Sequence, residues 1–233
     1  MKSTTSALGI LFDLDGTLID SVYQHVLAWH QALREEGIDL SVWRIHRRIG
    51  MSGGLFVDAL ARETGVALDA ARGDRLRRRH AEELLQRLGE IRPLPGATQL
   101  LSALDEAGVP YALATSGRRE TADFTLPLLR LRPDVPIVTR DDVAHAKPDP
   151  DLFLAAADRL GLPADKCYVV GDSVWDLLAA QRARALGIGV QSGGYGRAEL
   201  ERAGAYRVYA DPADMLLHLD EIGIRFTPPD LQR

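Results

Sequence analysis

The sequence predicts an α/β chain: an open parallel sheet with helices on both faces, interrupted after its first strand by a wholly helical insertion. Three observations predict it. Short continuous apolar runs of the kind that form buried parallel strands recur along the chain. From residue 96 onward these runs alternate with amphipathic helical stretches. Between the first run and the second, residues 13–109 carry helical periodicity without a convincing strand. A chain of 233 residues, 46% hydrophobic and 26% charged, has the length and composition for a sheet domain with a smaller inserted one.

The first strand is "LGILF" (8–12). After it, Val22, Val26, Trp29 and Leu33 fall on one helix face, and Gly37 supplies the stop. Helical runs follow at about 53–64 and 69–89, the latter with Leu76, Leu84, Leu85 and Leu88 on its apolar side and the charge run "RLRRRH" (75–80) as a solvated face. The prolines and glycine of "RPLPGA" (92–97) close the insertion. Residues 21–92 are therefore expected as a helical domain set into a sheet domain of residues 1–20 and 93–233, with hinges near Ile19 to Val22 and Ile91 to Gly96. The later strands are "PYALAT" (110–115), "PIVT" (136–139), "CYVVG" (167–171), "GIGVQ" (187–191) and "YRVY" (206–209). Helices are expected over 96–108, 119–131, 149–161, 174–187 and 211–223. The tail "FTPPDLQR" reads as a loosely docked terminus.

A net charge of −5 leaves no footprint for nucleic acid or an anionic membrane, so an anionic ligand must be met by local positive charge. The single cysteine, Cys167, excludes an intramolecular disulfide and sits in an apolar run as a small buried residue. The start "MKSTTSALGILF" lacks the pattern of a signal peptide, and no apolar run nears the ~20 residues of a membrane span. The expectation is a soluble, cytoplasmic monomer or homodimer with a small-molecule substrate and neither nucleic acid nor membrane as partner.

Ligands of open parallel sheets sit beyond the carboxyl ends of the strands, so the polar residues there carry the chemistry. The first strand ends in Asp13 and Asp15, the second in Thr115, Ser116 and Gly117; Lys147 follows the third, and Asp172, Ser173 and Asp176 follow the fourth. Carboxylates gathered on one rim repel one another unless a cation sits among them, and hard oxygen ligands select Mg²⁺ or a similar ion. With Lys147 and the donors of "TSG" opposite a nucleophilic carboxylate, such a rim suits phosphoryl transfer.

"FDLDGTLID" (12–20), "ALATSG" (112–117), the lysine of "AKPDP" (146–150) and "GDSVWD" (171–176) resemble, in order and spacing, the four signatures of the haloacid dehalogenase-like hydrolase superfamily. The helical insertion is similar to its cap domain, so the resemblance covers nearly the whole chain and implies a Rossmann-like core with a helical cap. It further implies a Mg²⁺-dependent phosphatase in which Asp13 is the nucleophile and a metal ligand, and Asp15 is general acid and then base, its carbonyl also meeting the metal. Thr115, Ser116, Gly117 and Lys147 would bind the phosphoryl group, Asp172 would hold the metal, and Asp176 would do so through water or by supporting Lys147. Thr115 and Ser116 also read as a strand end and turn, and Asp176 as a helix-start carboxylate.

Only three of the 28 basic side chains are lysines, and none lies in 21–92, which departs from the phosphonatase pattern of a cap lysine. Retention of Asp15 departs from the dehalogenases. His25, ten residues after Asp15, resembles the beta-phosphoglucomutases, but Ile49 and Gly53 stand where that branch has basic residues, and "GDSVWD" is similar to the hydrolases. The resemblance thus implies a phosphatase, with a mutase as the alternative within the family and a catalytically idle binding or regulatory protein as the alternative outside it. Candidate substrate residues are His25, Arg48, Ser52, Gly53, Gly54 and Arg118. "IGMSGG" (49–54) reads either as a specificity loop or as a helix–helix turn, and Arg44, Arg47 and Arg48 either as anion binders or as surface residues. "GGYGRAEL" (193–200) resembles a loop of phosphoglycolate phosphatase-like members.

Overall fold

The structure, a computed structural model, describes residues 8–66 and 68–225; the tail at 226–233 lies outside them. The chain enters through β1 (Gly9–Phe12), buried along its whole length. A two-residue strand β2 (Ile19–Asp20), helices α1 (Val22–Glu35), α2 (Val42–His46), α3 (Gly53–Thr64) and α4 (Ala70–Leu85), and a second two-residue strand β3 (Arg92–Pro93) follow. Strict alternation then begins with α5 (Ala97–Glu106), β4 (Tyr111–Ala114), α6 (Arg119–Thr125), β5 (Ile137–Val138) and α7 (Asp151–Arg159). It ends with β6 (Cys167–Gly171), α8 (Val174–Arg182), β7 (Leu186–Val190), α9 (Arg197–Arg202), β8 (Ala205–Tyr209) and α10 (Pro212–Leu217).

Six of these strands form a parallel sheet in the order β5-β4-β1-β6-β7-β8. Side chains alternate across it as the two-residue period of a strand requires. Ile10 and Phe12 of β1 pack on one face with Leu100, Leu104 and Met215 from α5 and α10, and Leu11 packs on the other with Phe153, Ala156 and Ala180 from α7 and α8. Buried on both faces, the strands had to be continuously apolar, which is why they show in the sequence. The chain runs from β1 through β4 to β5, then returns to the far side of β1 as β6. The carboxyl ends of β1 and β6 therefore flank the place where the strand order reverses, the position in which such sheets bind ligands.

Helices α1 to α4 share their own apolar cluster, built from Val22, Val26, Trp29, Leu33, Ile45, Phe56, Leu60 and Leu76. Several details differ from the sequence reading. The interval after β1 does contain strands: β2 and β3 pair antiparallel, Ile19 with Pro93 and Asp20 with Arg92, so the two expected hinges form one ribbon. The helix expected over 69–89 stops at Leu85, which is 36% exposed rather than apolar-side, while Leu84 turns inward to the sheet's cluster. The "RLRRRH" run is only in part a solvated face, since Arg75 pairs with Glu36 at 3.1 Å and Arg79 with Glu35 at 2.6 Å, tying α4 to α1. Helices also end earlier than periodicity implies: α6 stops before Pro127, which has no N–H to continue it, and α8 stops before Arg184, whose φ is +61°. No helix among the described residues is long and apolar enough to cross a membrane.

Candidate active site

Asp13 continues the β1 ladder by donating its N–H to Val170 O at 2.9 Å. Beyond it the chain folds into a tight loop in which Leu18 N and Ile19 N donate to Leu14 O and Gly16 N donates to Ile19 O. Gly16 has a φ of +83°, and a Cβ there would lie 2.7 Å from the Asp172 carboxylate. Only glycine satisfies both the backbone and the close approach.

Asp13, Asp172 and Asp176 are buried, and each brings a carboxylate oxygen within 4.8 Å of the others. Lys147, wholly buried, ion-pairs with Asp13 and lies 2.8 Å from Asp176 Oδ1. Thr17 Oγ1 donates toward Asp13 Oδ2 at 3.3 Å or Asp172 Oδ1 at 3.4 Å. Asp176 also caps α8, accepting from Ser173 N at 3.1 Å and Ser173 Oγ at 2.5 Å. Its two sequence readings, helix start and lysine partner, therefore describe the same side chain. Burial pushes Asp13 and Asp172 above the usual carboxylate range, Lys147 pulling down and neighbouring acids pushing further up. For Lys147, burial favours the neutral amine, but the Asp13 and Asp176 charges outweigh it and hold the ammonium form.

One ammonium group facing three buried carboxylates leaves an excess of negative charge in a low-dielectric setting, which costs several kcal/mol per uncompensated ion. An all-oxygen cluster with that excess fits a hard divalent cation.

Asp15 joins a different network on the same rim. Its Oδ1 accepts from Ser21 Oγ at 2.6 Å and faces His25 Nε2 at 3.3 Å, while Oδ2 lies 3.5 Å from Thr115 Oγ1. Burial alone would raise its pKa, but His25, Ser21 and Lys147 together bring it down to about 2. The Asp15 side chain is not part of the three-carboxylate cluster. Gly117 N donates to Thr115 Oγ1 at 2.9 Å, and Ser116 Oγ is buried with no protein partner, a polar atom placed for something the protein itself does not supply.

A cavity of about 550 Å³ between the helical insertion and the sheet opens onto these groups, lined by Asp13, Asp15 and Thr115 to Arg118 below and by His25, Arg48, Gly53 and Gly54 above. Of the other candidates, Ser52 is not in the lining: it is buried and caps α3 by accepting from Leu55 N. Arg48 lines the cavity, yet it and Arg44 both pair with Glu63 of α3. Arg47 faces away from the cavity, ion-paired to Glu199 with its guanidinium over Tyr195. In the "GGYGRAEL" segment, Gly193 abuts Asp172 and its carbonyl meets His46 Nε2 at 2.7 Å.

Sequence reasoning assigned no role to Thr17, Ser21 or His80. The first two stand inside "DGTLIDS" beside the aspartates. His80 is four residues after Leu76 and four before Leu84, on the buried stripe of α4, a spacing that marks it as inward-facing despite the arginines around it.

Residues 8–184 match the family profile of the haloacid dehalogenase-like hydrolases. The chain is 33% identical over 213 residues to a phosphoglycolate phosphatase of Rhodospirillum rubrum, covering 88% of each chain. It is 33% identical over 177 residues to hexitol phosphatase A of Escherichia coli K12, covering 75% of this chain and 79% of that protein. Among solved structures, a hydrolase from Pseudomonas syringae superposes with a TM-score of 0.90 at 54% identity, covering 92% of this chain and 99% of that one.

Proposed function

The chain belongs to the haloacid dehalogenase-like hydrolases and is a phosphatase among them, and from that premise we propose that it hydrolyses a small phosphorylated metabolite, a phosphomonoester, through an aspartyl-phosphate on Asp13. The observation that carries this reading is the buried Lys147 held between Asp13 and Asp176, which cluster with Asp172, together with the partnerless Ser116 hydroxyl. That arrangement is costly for a fold to keep and is met by a bound phosphoryl group and a cation.

In the proposed reaction an Asp13 oxygen bonds to phosphorus as the ester P–O bond breaks, and Asp15 gives its proton to the departing alkoxide. Water then attacks the same phosphorus, Asp15 takes the water's proton, and the Asp13–phosphorus bond breaks to release phosphate. Ionised Asp15 is ready for the second half; for the first, the negative charge of the phosphoryl group beside it favours the protonated form. Mg²⁺ would be held by Asp13, Asp172 and the main chain at Asp15, with Asp176 in support through Lys147, and would neutralise charge on the phosphoryl oxygens. Thr115, Ser116, Gly117 and Lys147 would grip those oxygens. Residues 21–92 would act as the cap that excludes water and selects the leaving group over the core of residues 1–20 and 93–233.

Phosphate release with Mg²⁺ over a panel of phosphorylated metabolites tests the reading, alongside Asp13→Asn on p-nitrophenyl phosphate. The variant should lose all turnover; unchanged turnover removes Asp13 as nucleophile, and silence of the wild type on the whole panel points to a binding role. Conversion of beta-glucose 1-phosphate to glucose 6-phosphate without phosphate release identifies a mutase instead.

A further inference from the structure

Asp15 is the near end of a chain of two imidazoles. His25 Nε2 faces Asp15 Oδ1 at 3.3 Å, and across the same ring His25 Nδ1 lies 3.1 Å from His80 Nε2. A carboxylate has only acceptor sites, so the His25 nitrogen that faces it is the donor. In its neutral form His25 carries one N–H, which makes Nδ1 an acceptor and assigns the proton between the rings to His80 Nε2. The orientation of His80 is fixed by stacking: its ring lies on Trp29 with centroids 4.2 Å apart and planes 16° from parallel, and Trp29 lies in turn on Phe56 at 4.2 Å. Burial pushes the His80 ring toward its neutral form.

The geometry bears on which oxygen of Asp15 does the chemistry. Ser21 and His25 both occupy Oδ1, leaving Oδ2 toward Thr115 and the cavity. Were His25 to carry its proton on Nδ1, a lone pair would face Oδ1, and the resulting repulsion would turn the carboxylate away.

We propose that His80 is a positioning residue: by donating its Nε2 proton to His25 Nδ1 it selects the His25 tautomer that anchors Asp15 Oδ1, leaving Oδ2 as the oxygen that exchanges a proton with the leaving group. The consequence for turnover rests on the phosphatase reading, whereas the tautomer assignment does not.

Two substitutions separate donation from packing. His80→Phe keeps a ring on Trp29 and removes the donor; His80→Gln removes the ring and keeps an amide N–H near the Nε2 position. Donation predicts that kcat falls about tenfold to a hundredfold in His80→Phe with KM within about twofold of wild type, and that His80→Gln recovers most of the loss. The reverse order, Phe near wild type and Gln impaired, overturns the proposal. Imidazole ¹⁵N resonances of the wild-type chain at about pH 8 supply a readout independent of activity. His25 should show a bare Nδ1 and a protonated Nε2, becoming a mixture of tautomers in His80→Phe; a bare Nε2 or a doubly protonated ring in the wild type overturns the assignment. A wild type inactive on every phosphate ester would remove the phosphatase reading and leave the resonances to judge the tautomer by themselves.

Discussion

At Lys147 one ammonium group stands against two buried carboxylates, and nothing else among the described residues ion-pairs with Asp13 or Asp176. Replacing it with methionine keeps most of the volume and removes the counter-charge. Breaking a buried pair from one side costs about 3–5 kcal/mol because the partner stays behind. Lys147→Met should therefore lose about that much stability in urea titrations run with a chelator, and saturating Mg²⁺ should restore more of it than it adds to the wild type. A loss within the range of an exposed ion pair, or equal Mg²⁺ responses, contradicts the charge accounting. Cys167 is the opposite kind of buried group. Burial pushes its thiol up to about 11, so at neutral pH it is a small apolar filler of the sheet's second face. Because the thiolate is the reactive form and appears only as pH rises toward that value, a thiol reagent near pH 7 should label the native chain slowly and the urea-unfolded chain promptly. Prompt native labelling would mean that this face opens.

At the scale of elements, the turn after β7 decides how the β6 acid is held. A Cβ on Gly193 would fall 1.6 Å from Asp172 Oδ2, and the turn cannot easily yield, since Ser192 Oγ donates to Gly16 O at 2.6 Å and Gly193 O meets His46. In Gly193→Ala the carboxylate has to swing aside. The half-saturating Mg²⁺ concentration for phosphatase activity should rise tenfold or more, about the effect of losing a metal-site orienting contact, with an unchanged far-UV spectrum. An unaltered Mg²⁺ requirement would detach Asp172 from metal binding. Nothing local in "GVQSGG" announces this contact, and the contrast shows what was legible. The strands were, because burial on both faces demands unbroken apolar runs; so were Asp13, Asp15 and Asp172, because charged residues just after such runs have no packing reason to be there, whereas Lys147 and Asp176, farther from their strands, stand out through the likeness to the family's signatures and, for the lysine, through its scarcity. The β2–β3 ribbon was not, as two residues carry no periodicity, and neither was α2, only five residues long. His80 was hidden by its arginine neighbours, and Leu85 was misread because a helix that also touches the sheet domain turns its stripe from one partner to the other.

Across the whole molecule, the helical insertion meets the sheet domain through the covalent ribbon at β2 and β3, through Ala28 and Leu84 in the sheet's apolar cluster, and through a non-covalent clasp. The clasp is centred on Arg47. Its guanidinium pairs with Glu199 and lies 4.0 Å over Tyr195, and its carbonyl accepts from Tyr195 Oη at 2.9 Å and Trp175 Nε1 at 3.3 Å. Next to it His46 stacks on Tyr23 and holds Gly193 O, so the clasp closes directly behind Asp172. Arg47 and Glu199 are 35% and 41% exposed, a setting in which an ion pair contributes about 0.2–1 kcal/mol. An energy of that size neither folds nor unfolds the chain, but if residues 21–92 act as the proposed cap, it would change the ratio of seated to unseated cap by up to about fivefold. If substrate binds only under a seated cap, Glu199→Arg turns attraction into repulsion and should raise KM about fivefold or more, with melting temperature nearly unchanged. The hydrogen bonds from Tyr195 and Trp175 go to the main-chain carbonyl at 47 and survive the exchange, so the exchanged pair Arg47→Glu with Glu199→Arg should bring KM part of the way back, short of wild type by the lost guanidinium–Tyr195 contact. Salt supplies an independent check: raising ionic strength screens exposed charges, so it should increase KM in the wild type and leave an Arg47→Ala, Glu199→Ala double variant flat once general effects on substrate charge are subtracted. A double exchange no better than the single one would mean that residues 46–50 rest on the core without governing access to the site.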